Sequence, residues 1–206
     1  MQVSKQMIVG ALIAMVAGVA IAWGAAQWWK TNNNDAVAAV QYSESLLPEG
    51  GDFAVNSEQG EVKLSDFKGK VVMLYFGYTA CPDICPTSMG TMKGALNLLT
   101  PEELTQVQGL LVSVDPERDT LQQVNRYAQY FHPNIRGVSS KAESLEKVAR
   151  QYNAFFRKVP MPNSALGYMM DHTSTIYVID KAGKVQKLVE HAVPPAELAQ
   201  ALKAFL

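Results

Sequence analysis

The chain has 206 residues, 18 % of them charged, with a formal net charge of -1. That length holds one domain of ordinary size plus an appendage. A chain this close to neutral gives no electrostatic reason to expect nucleic acid as a partner. The apolar fraction of 48 % is sufficient for a packed core, although part of it is concentrated at the start.

From Met7 to Ala26 no side chain is charged, and only the Trp23 indole can hydrogen-bond. As a helix this run spans roughly 30 Å, the thickness of a bilayer's hydrocarbon core. Lys5 precedes it, and Gln27, Trp28, Trp29 and Lys30 follow it. Amphipathic indoles beside a lysine suit a membrane interface, where the ammonium can snorkel to water. A cleaved signal peptide ending at Ala20-Ile21-Ala22 is the alternative, but signal h-regions are shorter than this run. The expectation is a tail and transmembrane helix over residues 1–30. A linker rich in asparagine follows over 31–47, and an exported domain occupies 48–206. Two neighbouring cysteines in the exported part suit an oxidising compartment. The short N-terminal tail lacks the arginines of a mitochondrial presequence. A single-pass protein of a bacterial inner membrane, with its domain in the periplasm, fits best.

Within the domain, Val71 to Phe76 is an unbroken apolar run, the pattern of a strand buried on both faces. A helix is expected over 86–99, where Met89, Met92, Ala95, Leu96 and Leu99 recur at helical spacing behind Pro86. A strand is expected over 109–114, a helix over 120–130, a short strand over 135–139 and a helix over 141–152. Strands over 173–179 and 185–190 flank the turn Lys181-Ala182-Gly183. A helix over 194–205 ends the chain. The stretch 158–170 reads as an irregular, flexible loop. This order predicts an α/β fold, a mixed sheet with helices on both faces, and is compatible with a thioredoxin-like arrangement.

The chemistry-bearing segment is Cys81-Pro82-Asp83-Ile84-Cys85-Pro86, between the first buried strand and the first helix. Sites in α/β folds lie at the carboxyl ends of such strands. A helix N-terminus also favours thiolate, the form that attacks disulfides and binds metals. The spacing is C-x-x-x-C rather than C-x-x-C. The extra residue makes room for an ion between the sulfurs while leaving a Cys81–Cys85 disulfide geometrically possible. Two thiolates are too few for a structural zinc site, which takes four protein ligands. Two soft thiolates and one imidazole suit copper. Of the three histidines, His132 lies in a helix-to-strand loop and His191 at the end of the last hairpin strand. His172 immediately precedes a strand and can lie beside the cysteine loop, which makes it the candidate third ligand.

Three segments in fixed order resemble one family. Phe76-Gly77-Tyr78 leading into Cys81-Pro82-Asp83-Ile84-Cys85-Pro86 is similar to the first signature of the Sco/SenC family, copper-binding assembly factors of cytochrome c oxidase. Val114-Asp115-Pro116-Glu117-Arg118-Asp119-Thr120 resembles its second. Asp171-His172-Thr173, before a strand ending Ile179-Asp180, resembles its third. The likeness covers about Gly50 to Leu206. It implies a thioredoxin-like fold behind a membrane anchor, with copper, Cu(I) or Cu(II), held by Cys81, Cys85 and His172. It implies a metallochaperone that helps to metallate, or to reduce the cysteines of, the dinuclear copper centre in oxidase subunit II. A periplasmic protein would be the copper donor. Aligned on thioredoxins, Ser174 stands where they carry a cis-proline. Three departures remove no ligand. Ala80 replaces a frequent histidine, Thr173 a commoner serine, and Lys181-Ala182 a proline–acid pair.

Asp83 and Asp171 are candidates to support the ligands, although a turn or helix cap is the simpler role for Asp83. Asp115, Arg118 and Asp119 suit an arginine–carboxylate clasp that fixes their own loop. Met161, Met169 and Met170 carry soft thioethers, yet methionines mostly fill cores. The competing functions are a thiol–disulfide oxidoreductase using Cys81 or Cys85, and a redox or copper sensor. The first would favour C-x-x-C and a proline at 174, and both are absent. The chain is therefore expected to be a carrier rather than an enzyme.

Overall fold

The computed structural model of the chain describes residue 18, residues 22–29 and residues 47–206. Residues 22–29 form an exposed helix (α1). Among the described residues no helix is long and apolar enough to cross a membrane. Most of the expected anchor over 7–26, and all of the expected linker except Leu47, lie outside the described residues. Leu47–Leu206 forms a unit with its own core.

Ala54–Ser57 (β1) and Gly60–Lys63 (β2) form an antiparallel hairpin, followed by a short 3-10 turn. Next come Val71–Gly77 (β3), Ile84–Leu96 (α2), Pro101–Thr105 (α3) and Val107–Ser113 (β4). Leu121–Phe131 (α4), Ile135–Val138 (β5) and Ala142–Gln151 (α5) follow. Phe156–Met161 (β6) and Gly167–His172 (β7) pair as a second hairpin. Ile176–Ile179 (β8), Val185–Val189 (β9) and Pro195–Lys203 (α6) complete the unit. The central sheet has the order β5-β4-β3-β8-β9. In it β3, β4 and β5 run parallel, and β8 and β9 are antiparallel to their neighbours.

Every residue of β3 is buried because both faces of the sheet are covered. Successive side chains on a strand point to opposite faces. Phe76 therefore packs edge-on with Tyr177 and tilted against Tyr152, at the end of α5, which itself stands edge-on to Tyr177. On the other face α2 and α6 pack together, close enough that a methyl on Gly94 would meet the Pro195 ring. Val71–Gly77 thus ends between two covered faces, with its last residue aimed at the cysteine loop.

Two expectations need correction. The stretch 158–170 is mostly ordered strand, as β6 and β7, joined by a turn over 162–166. Its burial pattern is largely exposed, so no apolar alternation marks it, and Pro160 argues against a strand in sequence. His172 consequently ends β7 instead of preceding β8, which starts only at Ile176. The β1–β2 hairpin and α3 have no counterpart among the expected elements. They are short, and only Val55, Ser57 and Val62 of the hairpin are buried.

Candidate metal centre

The strand β3 stops at Gly77, where a side chain would run into Tyr75, Leu111 and the sulfur of Cys85. The loop that follows carries Cys81, and α2 starts at Ile84, which puts Cys85 in its first turn. The Asp83 side chain at the N-cap does not cap α2. The Cys85 amide instead donates to Cys81 Sγ at 3.4 Å, so a sulfur occupies the anion position that a helix N-terminus offers. Cys85 is completely buried and Cys81 partly exposed. Both are free thiols.

His172 reaches the same spot from the end of β7. Its Nδ1 lies 2.9 Å from the Thr173 carbonyl, which can only accept, so Nδ1 carries the proton. That leaves the Nε2 lone pair facing Cys85 Sγ, 3.4 Å away. The two sulfurs and the imidazole nitrogen all lie within 4.8 Å of one another. Among the described residues this is the one cluster of metal-ligating side chains of that kind.

The two thiols are driven apart in acidity. Cys81 is held well below the ordinary thiol range by the hydrogen bond from Cys85, against a smaller penalty from burial. His172 and the amides of Cys85 and Asp83 add to that stabilisation. Cys85 is pushed up, first by its bond to the Cys81 sulfur and then by burial. These surroundings favour the anion on Cys81 and the proton on Cys85, whose sulfur faces both Cys81 and His172 Nε2.

Two tyrosines enclose the cluster. The rings of Tyr75 and Tyr78 stand edge-on to the His172 ring, with centroids 6.1 and 5.7 Å away. Both hydroxyls are buried without a hydrogen-bond partner. Burial and then the charge on Cys81 push Tyr78 up to about 12, and burial raises Tyr75 further. Both therefore stay protonated, as donors beside the sulfurs.

Asp83 contributes through its main chain: its amide faces the Cys81 sulfur, while its side chain is exposed. Asp171 points across the hairpin to Arg157, at 2.8 Å. His132 accepts from the Asn134 amide at 3.1 Å, and His191 Nδ1 lies 3.2 Å from Ser88 Oγ, so neither reaches the cluster. Met170 is buried, and Met161 and Met169 are partly exposed. The expected clasp forms, with Arg118 Nε against Asp115 Oδ2 at 2.5 Å. Sequence reasoning passed over Tyr75 and Tyr78 as site residues. A tyrosine inside an otherwise apolar buried strand signals a hydroxyl that needs a partner.

Comparison with known proteins points to one family. The SCO1/SenC family model matches residues 43–206. A SCO2-like protein of Rickettsia felis is 31% identical over 175 residues, covering 84% of this chain and 85% of the relative. Among solved structures, copper-bound ScoI of Bradyrhizobium japonicum superposes with a TM-score of 0.68 at 35% identity, covering 76% of this chain and 99% of that one. BsSco, described as carrying a disulfide switch within the Sco family of cytochrome c oxidase assembly proteins, gives 0.60 at 26% identity. That match covers 77% of this chain and 94% of BsSco. The fold they share is thioredoxin-like.

Proposed function

Because the chain belongs to the SCO1/SenC family, we propose that it is a copper carrier that takes one ion between Cys81, Cys85 and His172 and hands it to a cytochrome c oxidase. The observation that carries this reading is the convergence of two sulfurs and one nitrogen from separate segments within 4.8 Å. The donor set fits the cargo: two sulfurs and an imidazole select a soft ion, and no carboxylate belongs to the cluster. Three protein ligands leave room for a fourth from an acceptor, so the ion can pass by ligand exchange. Binding needs the proton of Cys85 to leave, while the surroundings of Cys81 already favour its anion. The run Met7–Ala26 would tether the domain to a bacterial inner membrane on its periplasmic side.

The test uses the full chain, reduced and loaded with copper, with X-ray absorption as the readout. One copper per chain bound by two sulfurs and one nitrogen is the expected result. Copper retained without a nitrogen ligand would remove His172 from the site.

A second reading is favoured by the split acidity of the thiols. A partly exposed thiolate beside a buried thiol is the arrangement of an attacking and a resolving cysteine. Cys81 would attack a partner's disulfide, and the departing partner sulfur leaves as thiolate. Cys85 then gives up its proton and attacks Cys81, closing the Cys81–Cys85 disulfide and releasing the second partner thiolate. The two electrons come from this cysteine pair, which an external dithiol must reduce again. Carrier and reductase use the same residues, and the metal content of the working protein separates them.

A further inference from the structure

The segment joining β4 to α4 grips both halves of the site. Asp119 is buried and accepts three hydrogen bonds: from the Thr79 hydroxyl at 2.5 Å, the Thr79 amide at 2.9 Å and the Ser113 hydroxyl at 2.6 Å. Thr79 stands two positions before Cys81, so this carboxylate holds the cysteine loop. On the other side Arg118 lies flat on Tyr168, its guanidinium carbon 3.7 Å from the ring centroid. Its Nη1 donates to the carbonyls of Tyr168 at 3.0 Å and Leu166 at 3.3 Å. Asp115 receives both Arg118 Nε and the Tyr168 hydroxyl, the latter at 2.7 Å.

Tyr168 and His172 lie on the same face of β7, because they are separated by an even number of residues. The β6–β7 hairpin is a two-stranded sheet of its own, outside the central sheet. A lone hairpin is marginally stable in water and has no fixed direction unless something holds it. Its two strands are joined beyond His172 by the Thr173 amide, which donates to the Phe155 carbonyl, and Met170 on β7 is buried in the core. Its far end is tied by Arg118 and by the pair between Lys158 and Glu117 at 2.6 Å. The lysine pair is largely exposed, which makes it weak. The arginine contact is half-buried: Nη1 reaches two carbonyls while Nε holds Asp115 and the guanidinium covers the Tyr168 ring, a combination that lysine cannot reproduce.

We propose that Arg118 is a positioning residue for the third ligand: by clamping Tyr168 it holds the hairpin so that His172 stays over the cysteines. One short segment then sets the distance between imidazole and sulfurs, since Asp119 and Arg118 are adjacent. The consequence for copper rests on the carrier reading; the consequence for hairpin position does not.

The test compares the full-length wild type with Arg118→Gln and Arg118→Lys. In the copper-free protein, nuclear Overhauser contacts from the His172 ring to the Tyr75 and Tyr78 rings are expected in the wild type and lost in both variants. With copper added, both are expected to lose the nitrogen ligand in X-ray absorption and to bind Cu(II) about tenfold or more weakly. The far-ultraviolet circular dichroism should stay as in the wild type. A lysine that restores the nitrogen would overturn the role assigned to the planar clamp. Wild-type ring contacts in Arg118→Gln would overturn the proposal outright. If Arg118→Gln does not fold, Tyr168→Leu removes the clamped ring while leaving the Arg118–Asp115 pair, and the same loss is expected. If the wild type binds no copper, the carrier reading fails, and the ring contacts alone decide the positioning role.

Discussion

The Nε2 atom of His172 lies 3.4 Å from Cys85 Sγ, although 87 positions separate the two residues in the chain. The direction of that contact is set by a local bond, Nδ1 to the Thr173 carbonyl. One end of the ring is thereby committed to the main chain and the other is free for a proton or a metal.

Removal of the imidazole should separate the two copper oxidation states. In His172→Ala, Cu(II) binding is expected to fall by at least about tenfold, since outer partners alone are worth that much. Cu(I) binding should fall less, because two thiolates suit the soft ion without help. Competition titrations with chelators for each ion measure both. Equal losses for the two ions would contradict this division of labour.

The acidity of Cys81 predicts an unusual pH profile for alkylation. Below about 8.5 an ordinary thiol loses thiolate roughly tenfold per pH unit. A group whose folded value is lowered keeps its anion as the pH falls past that ordinary value. Cys81 should thus react with iodoacetamide at pH 6 nearly as fast as at pH 8, while Cys85 stays protected until the chain unfolds. Peptide mapping after timed alkylation identifies which sulfur reacted. A steep decline at Cys81 between these pH values would refute the assignment of the thiolate.

Asp119 should matter more for stability than its place in a loop suggests. Its replacement by alanine strands the Thr79 amide, the Thr79 hydroxyl and the Ser113 hydroxyl. A loss of about 3 kcal/mol in urea unfolding is expected, the scale for breaking a buried charged network. A loss under about 1 kcal/mol would mean that water replaces the carboxylate easily.

Two tyrosines on opposite faces of the sheet should respond differently to loss of their hydroxyls. The Tyr152 hydroxyl donates to the Gly51 carbonyl at 2.8 Å, so Tyr152→Phe should cost about 1 kcal/mol. The Tyr75 hydroxyl has no partner, so in the copper-free protein Tyr75→Phe should be neutral or slightly stabilising, within about 1 kcal/mol. In the copper-loaded protein the same substitution should move the sulfur-to-Cu(II) charge-transfer band, because a donor beside the ligand sulfurs is lost. Chemical denaturation and absorption spectra of one preparation measure both effects.

Much of the fold was legible along the chain. The central strand β3 is marked by its unbroken apolar run, and α4 and α5 by their periodicity, since each buries a face in a pattern of its own. The cysteine loop was equally plain, because both cysteines lie within one strand-to-helix connection. The β6–β7 hairpin was not legible: its residues are mostly exposed, and Pro160 speaks against a strand. Part of what holds that hairpin is the contact of Arg118 with Tyr168, between segments 50 positions apart.

The sequence by itself therefore determined the α/β order, the C-x-x-x-C spacing on a helix N-terminus and the choice of His172, which rest on local periodicity and residue chemistry. Only the tertiary structure decided which nitrogen of His172 faces the sulfurs, which cysteine keeps its proton, and what holds the hairpin in place. Those properties depend on distances between segments remote in the chain, and such distances exist only after folding has brought the ends of β3 and β4 beside the separate β6–β7 hairpin.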